Sequence, residues 1–123
     1  MKKIKLIPAL VISFLLISFG NVLAQTPEQL MQKANKFYQE QNYSEAISTY
    51  EKILSQGIES GALYYNIGNS YFKEGKLGKS ILNYERGLKI EPNDEDLSYN
   101  LRIANSRTVD KISEVPKLFL VSW

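Results

Sequence analysis

The sequence predicts an all-α fold: a short α-solenoid of two helical hairpins closed by a C-terminal capping helix. Three observations predict it. Residues 27–60 superpose on 61–94 with a shift of 34, which sets Asn35 on Asn69, Glu40 on Glu74, Ile47 on Ile81, Tyr50 on Tyr84, Glu51 on Glu85 and Leu54 on Leu88. Size is kept where identity is not, since Ala34 falls on Gly68, Phe37 on Tyr71 and Ala46 on Ser80. Each unit also carries two apolar stripes of helical spacing, separated by helix stop and start residues. A fixed period of this length marks stacked units that cannot bury their apolar faces alone, and it produces an extended surface rather than a catalytic pocket.

The chain opens with Lys2, Lys3 and Lys5, a 14-residue apolar stretch from Leu6 to Phe19, and Val22-Leu23-Ala24 before Gln25. This is the pattern of a secretory signal over residues 1–24, with cleavage after Ala24. The alternative, an uncleaved anchor, meets the difficulty that a spanning helix needs about 20 apolar residues. Export to the periplasm, or to the periplasmic face of the inner membrane, is therefore expected. Loss of the leader takes three of the 15 basic residues and none of the 13 acidic ones, so the formal charge moves from +2 to −1. A mature domain near neutrality lacks the electrostatic footprint of a nucleic-acid binder. Cysteine is absent, which excludes disulfides, thiolate metal sites and a lipid-anchored cysteine at the cleavage point. Stability must come from packing in one small domain.

The first unit, 27–60, begins at Thr26-Pro27-Glu28-Gln29: Thr26 can cap, Pro27 suits the first helical position and Gln29 completes a capping box. Leu30, Ala34 and Phe37 then stripe a helix to about Glu40. Asn42, with Glu45 three residues on, signals a second start. Tyr43, Ala46, Ile47, Tyr50, Ile53 and Leu54 carry the stripe until Gly57. In the second unit, 61–94, Ser60 can cap a helix carrying Tyr64, Ile67, Gly68 and Tyr71, which Gly75 ends. Leu77, Ile81, Tyr84 and Leu88 stripe the next helix, terminated by Pro92 and Asn93. The small residues Ala34, Gly68, Ala46 and Ser80 permit close helix approach, and Phe37, Tyr71, Tyr50 and Tyr84 fill the space beside them.

A capping helix is expected over 95–112. Leu97, Leu101 and Ala104 continue the stripe, but Arg102 stands where Ala34 and Gly68 stood, so nothing is expected to stack on that face. Two units and a cap lie at or below the usual minimum of about three repeats. Support is therefore expected from a partner, from self-association or from further sequence. The apolar tail 113–123, with Leu118-Phe119-Leu120-Val121 and Trp123 after Pro116, either folds back on the cap or leads to a membrane segment.

At Leu30/Tyr64, Ala34/Gly68, Phe37/Tyr71, Ala46/Ser80, Tyr50/Tyr84 and Pro92 the chain resembles the tetratricopeptide repeat family, the second unit more fully than the first. Ile58 stands where Pro92 does, and Ile53 where Gly87 does. Gly61 to Ser70 (GALYYNIGNS), Tyr84 to Leu88, Pro92 to Asp96 and Arg107 to Ile112 together resemble the BatE-type proteins of the Bacteroides aerotolerance group. That resemblance implies continuation past Trp123 into membrane-spanning helices, membrane association of the complete form, and other Bat-type proteins as candidate partners.

Histidine is absent as well, removing the commonest neutral-pH acid/base and metal ligand. The acidic run Glu91, Asp94, Glu95 and Asp96 lacks calcium-loop spacing and reads as carboxylates at a helix start. Gly75 to Gly78 lacks the GxxxxGK[ST] spacing of a phosphate loop and reads as a helix-helix turn. No catalytic residue, metal site or cofactor is expected.

A second stripe runs beside the core stripe. Met31, Asn35 and Tyr38 recur as Tyr65, Asn69 and Phe72, and again as Tyr99, Ile103 and Ser106, flanked by Gln32, Asn66 and Asn100. The tetratricopeptide resemblance implies that this face lines a concave, partner-binding groove, in which asparagine amides could hold an extended peptide by paired donor and acceptor bonds. The alternative is that Tyr65, Phe72 and Tyr99 widen the core. Some members of that family grip a C-terminal carboxylate with cations, but here Met31, Asp96 and Asn100 stand at the cationic positions, which disfavours such capture. The resulting expectation is a non-enzymatic adaptor of the cell envelope that binds a partner protein. A glycan or peptidoglycan binder and a ligandless spacer are the alternatives.

Overall fold

The computed structural model describes residues 23–113; the leader up to residue 22 and the tail from residue 114 lie outside the described residues. Five helices follow in order: α1 Pro27–Gln39, α2 Tyr43–Ser55, α3 Gly61–Lys73, α4 Leu77–Ile90 and α5 Glu95–Ser113. They form the helical-repeat solenoid that the register predicts, each helix packing chiefly on its chain neighbours.

The start signals work as local chemistry dictates, with one exception. Thr26 Oγ1 accepts from the Gln29 amide and Gln29 Oε1 accepts from the Thr26 amide, a complete capping box. Ser60 Oγ accepts from the Leu63 amide at 3.0 Å, and Asp94 Oδ1 accepts from the Leu97 amide at 2.8 Å. Asn42 precedes α2, but its side chain makes no capping bond. Its backbone, at φ −91° and ψ 70°, is not in the extended conformation that swings a capping side chain back over the helix.

The same C-terminal turn closes α1 and α3. Asn42 N–H donates to Phe37 O and Gln41 N–H to Tyr38 O; one period later Lys76 N–H donates to Tyr71 O and Gly75 N–H to Phe72 O. Both are Schellman turns with a left-handed residue at the pivot, Gln41 at φ 61° and Gly75 at φ 75°.

The core has two parts. Leu30, Ala34, Ala46, Tyr50, Ile53, Leu63, Tyr64 and Ile67 form one cluster across α1–α3. Tyr84, Leu97 and Ala104 form the second, with Tyr65, Phe72, Ile81, Leu88 and Leu101 packed on it. The small positions are needed where they stand: a Cβ on Gly68 would lie 2.5 Å from the Tyr84 ring. Buried polar groups fold onto their own helices, as Thr49 Oγ1 donates to Glu45 O and, one period later, Asn83 Nδ2 donates to Lys79 O. On α5, Arg102, Asn105 and Val109 are exposed.

Candidate functional site

The first helix of each unit, together with α5, lines a trough. Two adjoining cavities mark it. One, of about 160 Å³, is lined by Asn35, Tyr38, Gln39, Tyr50, Asn66 and Asn69. The other, of about 200 Å³, is lined by Tyr38, Asn69, Phe72, Lys73, Tyr84, Asn100 and Ile103. Tyr38 and Asn69 belong to both, so the cavities are one continuous feature.

A repeated lock holds its floor. The buried Tyr50 hydroxyl donates to Asn35 Oδ1 at 2.6 Å, and one period later the buried Tyr84 hydroxyl donates to Asn69 Oδ1 at 2.6 Å. Asn69 Oδ1 also accepts from Asn100 Nδ2 at 2.9 Å. Burial pushes both tyrosine hydroxyls up to about 12, with Tyr38 adding to the effect at Tyr50, so each remains a donor at any ordinary pH. Among the described residues neither Asn35 Nδ2 nor Asn69 Nδ2 makes a hydrogen bond. The oxygens are thereby committed to the fold, and the amide donors are left unbonded among the described residues.

Of the ten residues predicted to line the groove, Asn35, Tyr38, Asn66, Asn69, Phe72, Asn100 and Ile103 come together here. Met31, Tyr65 and Tyr99, equivalent to one another in the register, do not. Each sits one turn, about 6 Å, toward the N-terminal end of its helix. There Met31 packs on the first core cluster and its Sδ faces Asn66 Nδ2 at 3.8 Å. The Tyr65 ring lies 6.4 Å from that of Tyr84, and Tyr99 is 57% exposed on another face beside Arg102. Tyr65 is partly buried and packs on the second core cluster.

Sequence reasoning missed Gln39 and Lys73, which line the trough, and Arg107, whose guanidinium lies 4.7 Å from the Phe72 ring centroid. The 34-residue register contained the signal, because Gln39, Lys73 and Arg107 are successive equivalents. In the acidic run Asp94 caps α5; among the described residues no group of three or more carboxylates is placed to hold a metal ion. Among them, too, no helix is long and apolar enough to cross a membrane.

Stacked helical hairpins with a lined trough define the class of helical-repeat proteins. The family model described as the tetratricopeptide repeat matches residues 62–94, the second hairpin. Over 79 residues the chain is 28% identical to Tetratricopeptide repeat protein 16 of Macaca fascicularis, an alignment covering 61% of this chain and 9% of that protein. The chain thus spans less than a tenth of that relative's length. Both similarities support a tetratricopeptide repeat protein, and such repeats generally mediate protein-protein interaction.

Proposed function

We propose that this chain is a non-enzymatic, exported adaptor of the cell envelope, membrane-associated in its complete form, whose trough binds an extended segment of a partner protein. Bat-type envelope proteins are the partners to try first. The observation that carries the reading is the repeated tyrosine-asparagine lock. Each lock fixes an amide whose donors are unbonded among the described residues, in a trough that mixes tyrosine and phenylalanine rings with further amides, and one repeat separates the two. Backbone carbonyls of an extended chain are the natural acceptors for donors fixed at a regular interval.

A carbohydrate ligand would require open aromatic faces for stacking. The trough offers few: the Phe72 ring is covered by Arg107, and Tyr38 meets Tyr43 edge-on at 5.3 Å.

The test passes envelope extract over the full wild-type chain and over an Asn35→Asp/Asn69→Asp double variant. Aspartate keeps the oxygen that Tyr50 and Tyr84 require and removes the amide donors. A protein recovered by wild type and lost from the double variant supports the reading. Retention of both forms on insoluble cell wall, with no protein recovered, would replace it with the carbohydrate reading; no retention of either kind would leave a spacer.

A further inference from the structure

We propose that the trough selects a partner segment bearing an acidic side chain, and that this carboxylate docks between Lys73 and Arg107 beside Phe72. This rests on the peptide-binding reading above and adds the chemistry of the ligand to it.

The argument is charge complementarity. Lys73 lines the larger cavity together with Phe72, Asn100 and Ile103, and Arg107 lies over the ring of that same Phe72. Two cations therefore flank one ring at the α3-α5 end of the trough. No carboxylate lines either of its cavities. Three cavities on other faces each include acids: Glu28 beside Pro27, Glu95 and Asp96 beside Arg102, and Glu51 and Glu74 beside Lys79. Among the described residues no salt bridge engages Lys73; the neighbouring Glu74 pairs instead with Lys76 at 3.0 Å. Two cations and no lining carboxylate thus mark the trough, in a chain whose residues after Ala24 carry 12 basic and 13 acidic side chains.

The cations also say which carboxylate fits. Both are exposed, and the positions at which cations would grip a terminal carboxylate carry Met31, Asp96 and Asn100 instead. A terminal carboxylate gripped from several sides has no such cage here. A side chain reaching out from a passing segment meets an ammonium and a fork-shaped guanidinium already held over an aromatic ring. Gln39, the equivalent residue in the first unit, supplies polarity without charge, so the ladder Gln39, Lys73, Arg107 also gives the bound segment a direction.

The experiment screens the full chain, purified in mild detergent, against two sets of random short peptides, one blocked at both ends and one with a free C-terminus. Binding of a selected labelled peptide is then measured by fluorescence anisotropy at low and high salt. The expected result is enrichment of Asp or Glu at one fixed position. Changing that acid to its amide should weaken binding about tenfold, as should Lys73→Gln or Arg107→Gln, with the effects collapsing at high salt. Neither variant should alter binding of the amide peptide, which also reports that the fold is intact. Selected peptides with no acidic preference, yet lost by Asn69→Asp, would overturn this inference and leave the trough reading standing. Preference confined to peptides with a free C-terminus would overturn the choice of a side-chain carboxylate. Absence of binding to any peptide would overturn both readings.

Discussion

Two glycines on neighbouring helices should respond to the same substitution with opposite sign. At Gly68 in α3 an added Cβ would lie 2.5 Å from Tyr84 Cε1 and 2.6 Å from Cδ1, about 1 Å inside ordinary carbon contact. The ring cannot yield easily, because Tyr84 is 1% exposed and its hydroxyl is bonded to Asn69. Overpacking of this kind costs about 2–3 kcal/mol, offset by the roughly 1 kcal/mol that alanine gains over glycine within a helix. Gly68→Ala should therefore destabilise by about 1–2 kcal/mol. At Gly78 in α4 nothing lies within 4 Å of an added Cβ, so only the helical gain remains and Gly78→Ala should stabilise by up to about 1 kcal/mol. Urea unfolding followed by far-ultraviolet circular dichroism separates them. With a slope near 1 kcal/mol/M, the midpoint should fall by about 1–2 M in the first variant and rise by at most about 1 M in the second. Shifts of the same sign would refute the claim that α3 and α4 approach closely at Gly68. Gly87→Ala belongs between them, because what it meets at 2.9 Å are the Leu97 methyl groups, the far end of a flexible side chain.

Gln41 pivots a Schellman turn at φ 61°, where a side chain costs about 1–2 kcal/mol that glycine does not. Gln41→Gly should raise stability by about 0.5–1 kcal/mol in the same urea assay after glycine's entropic cost, matching the native Gly75. Asp94→Ala removes the bond to the Leu97 amide and should cost about 1 kcal/mol, with amide exchange rising first in the opening turn of α5. Alkaline pH should unfold the chain through Tyr50 and Tyr84, whose hydroxyls burial pushes up to about 12. An acid whose folded pKa is raised favours the neutral form when folded, so its contribution is intact below the ordinary value near 10 and is lost as pH climbs toward 12. A Tyr50→Phe/Tyr84→Phe variant should show a reduced slope in denaturant titrations across this range, the remainder coming from Tyr38, Tyr64 and Tyr71, whose hydroxyls burial also pushes up.

Most of the fold was legible because its signals are local. Thr26 with Gln29, Ser60 with Leu63, and Gly57 and Gly75 at positive φ each act within a few residues, where sequence and structure barely differ. Asn42 marks the start of α2 at Tyr43 as its position suggests, but its side chain makes no capping bond because the turn pivoting on Gln41 keeps its backbone from the extended conformation. The site was less legible for a different reason. Periodicity placed Met31, Tyr65 and Tyr99 on the same helical face as the asparagines but could not say that the trough crosses the helices a turn further on. Lys73 and Arg107 belong to neither apolar stripe, and it is the packing that sets both beside Phe72. Nor does one-dimensional spacing reveal that Tyr50 and Tyr84, fifteen residues beyond Asn35 and Asn69, commit the asparagine oxygens to the fold.

The central claim, that the trough is where a partner protein lies, is tested most directly by site-specific photo-crosslinking in the native envelope. A photoreactive residue is placed at Ile103 inside the trough, or at Leu82, which is 44% exposed on α4 and outside the trough lining. The account predicts a discrete protein adduct from position 103, none from position 82, and loss of the adduct when Asn69→Asp is added. Adducts from position 82 alone, or an adduct at 103 that is indifferent to Asn69, would contradict it.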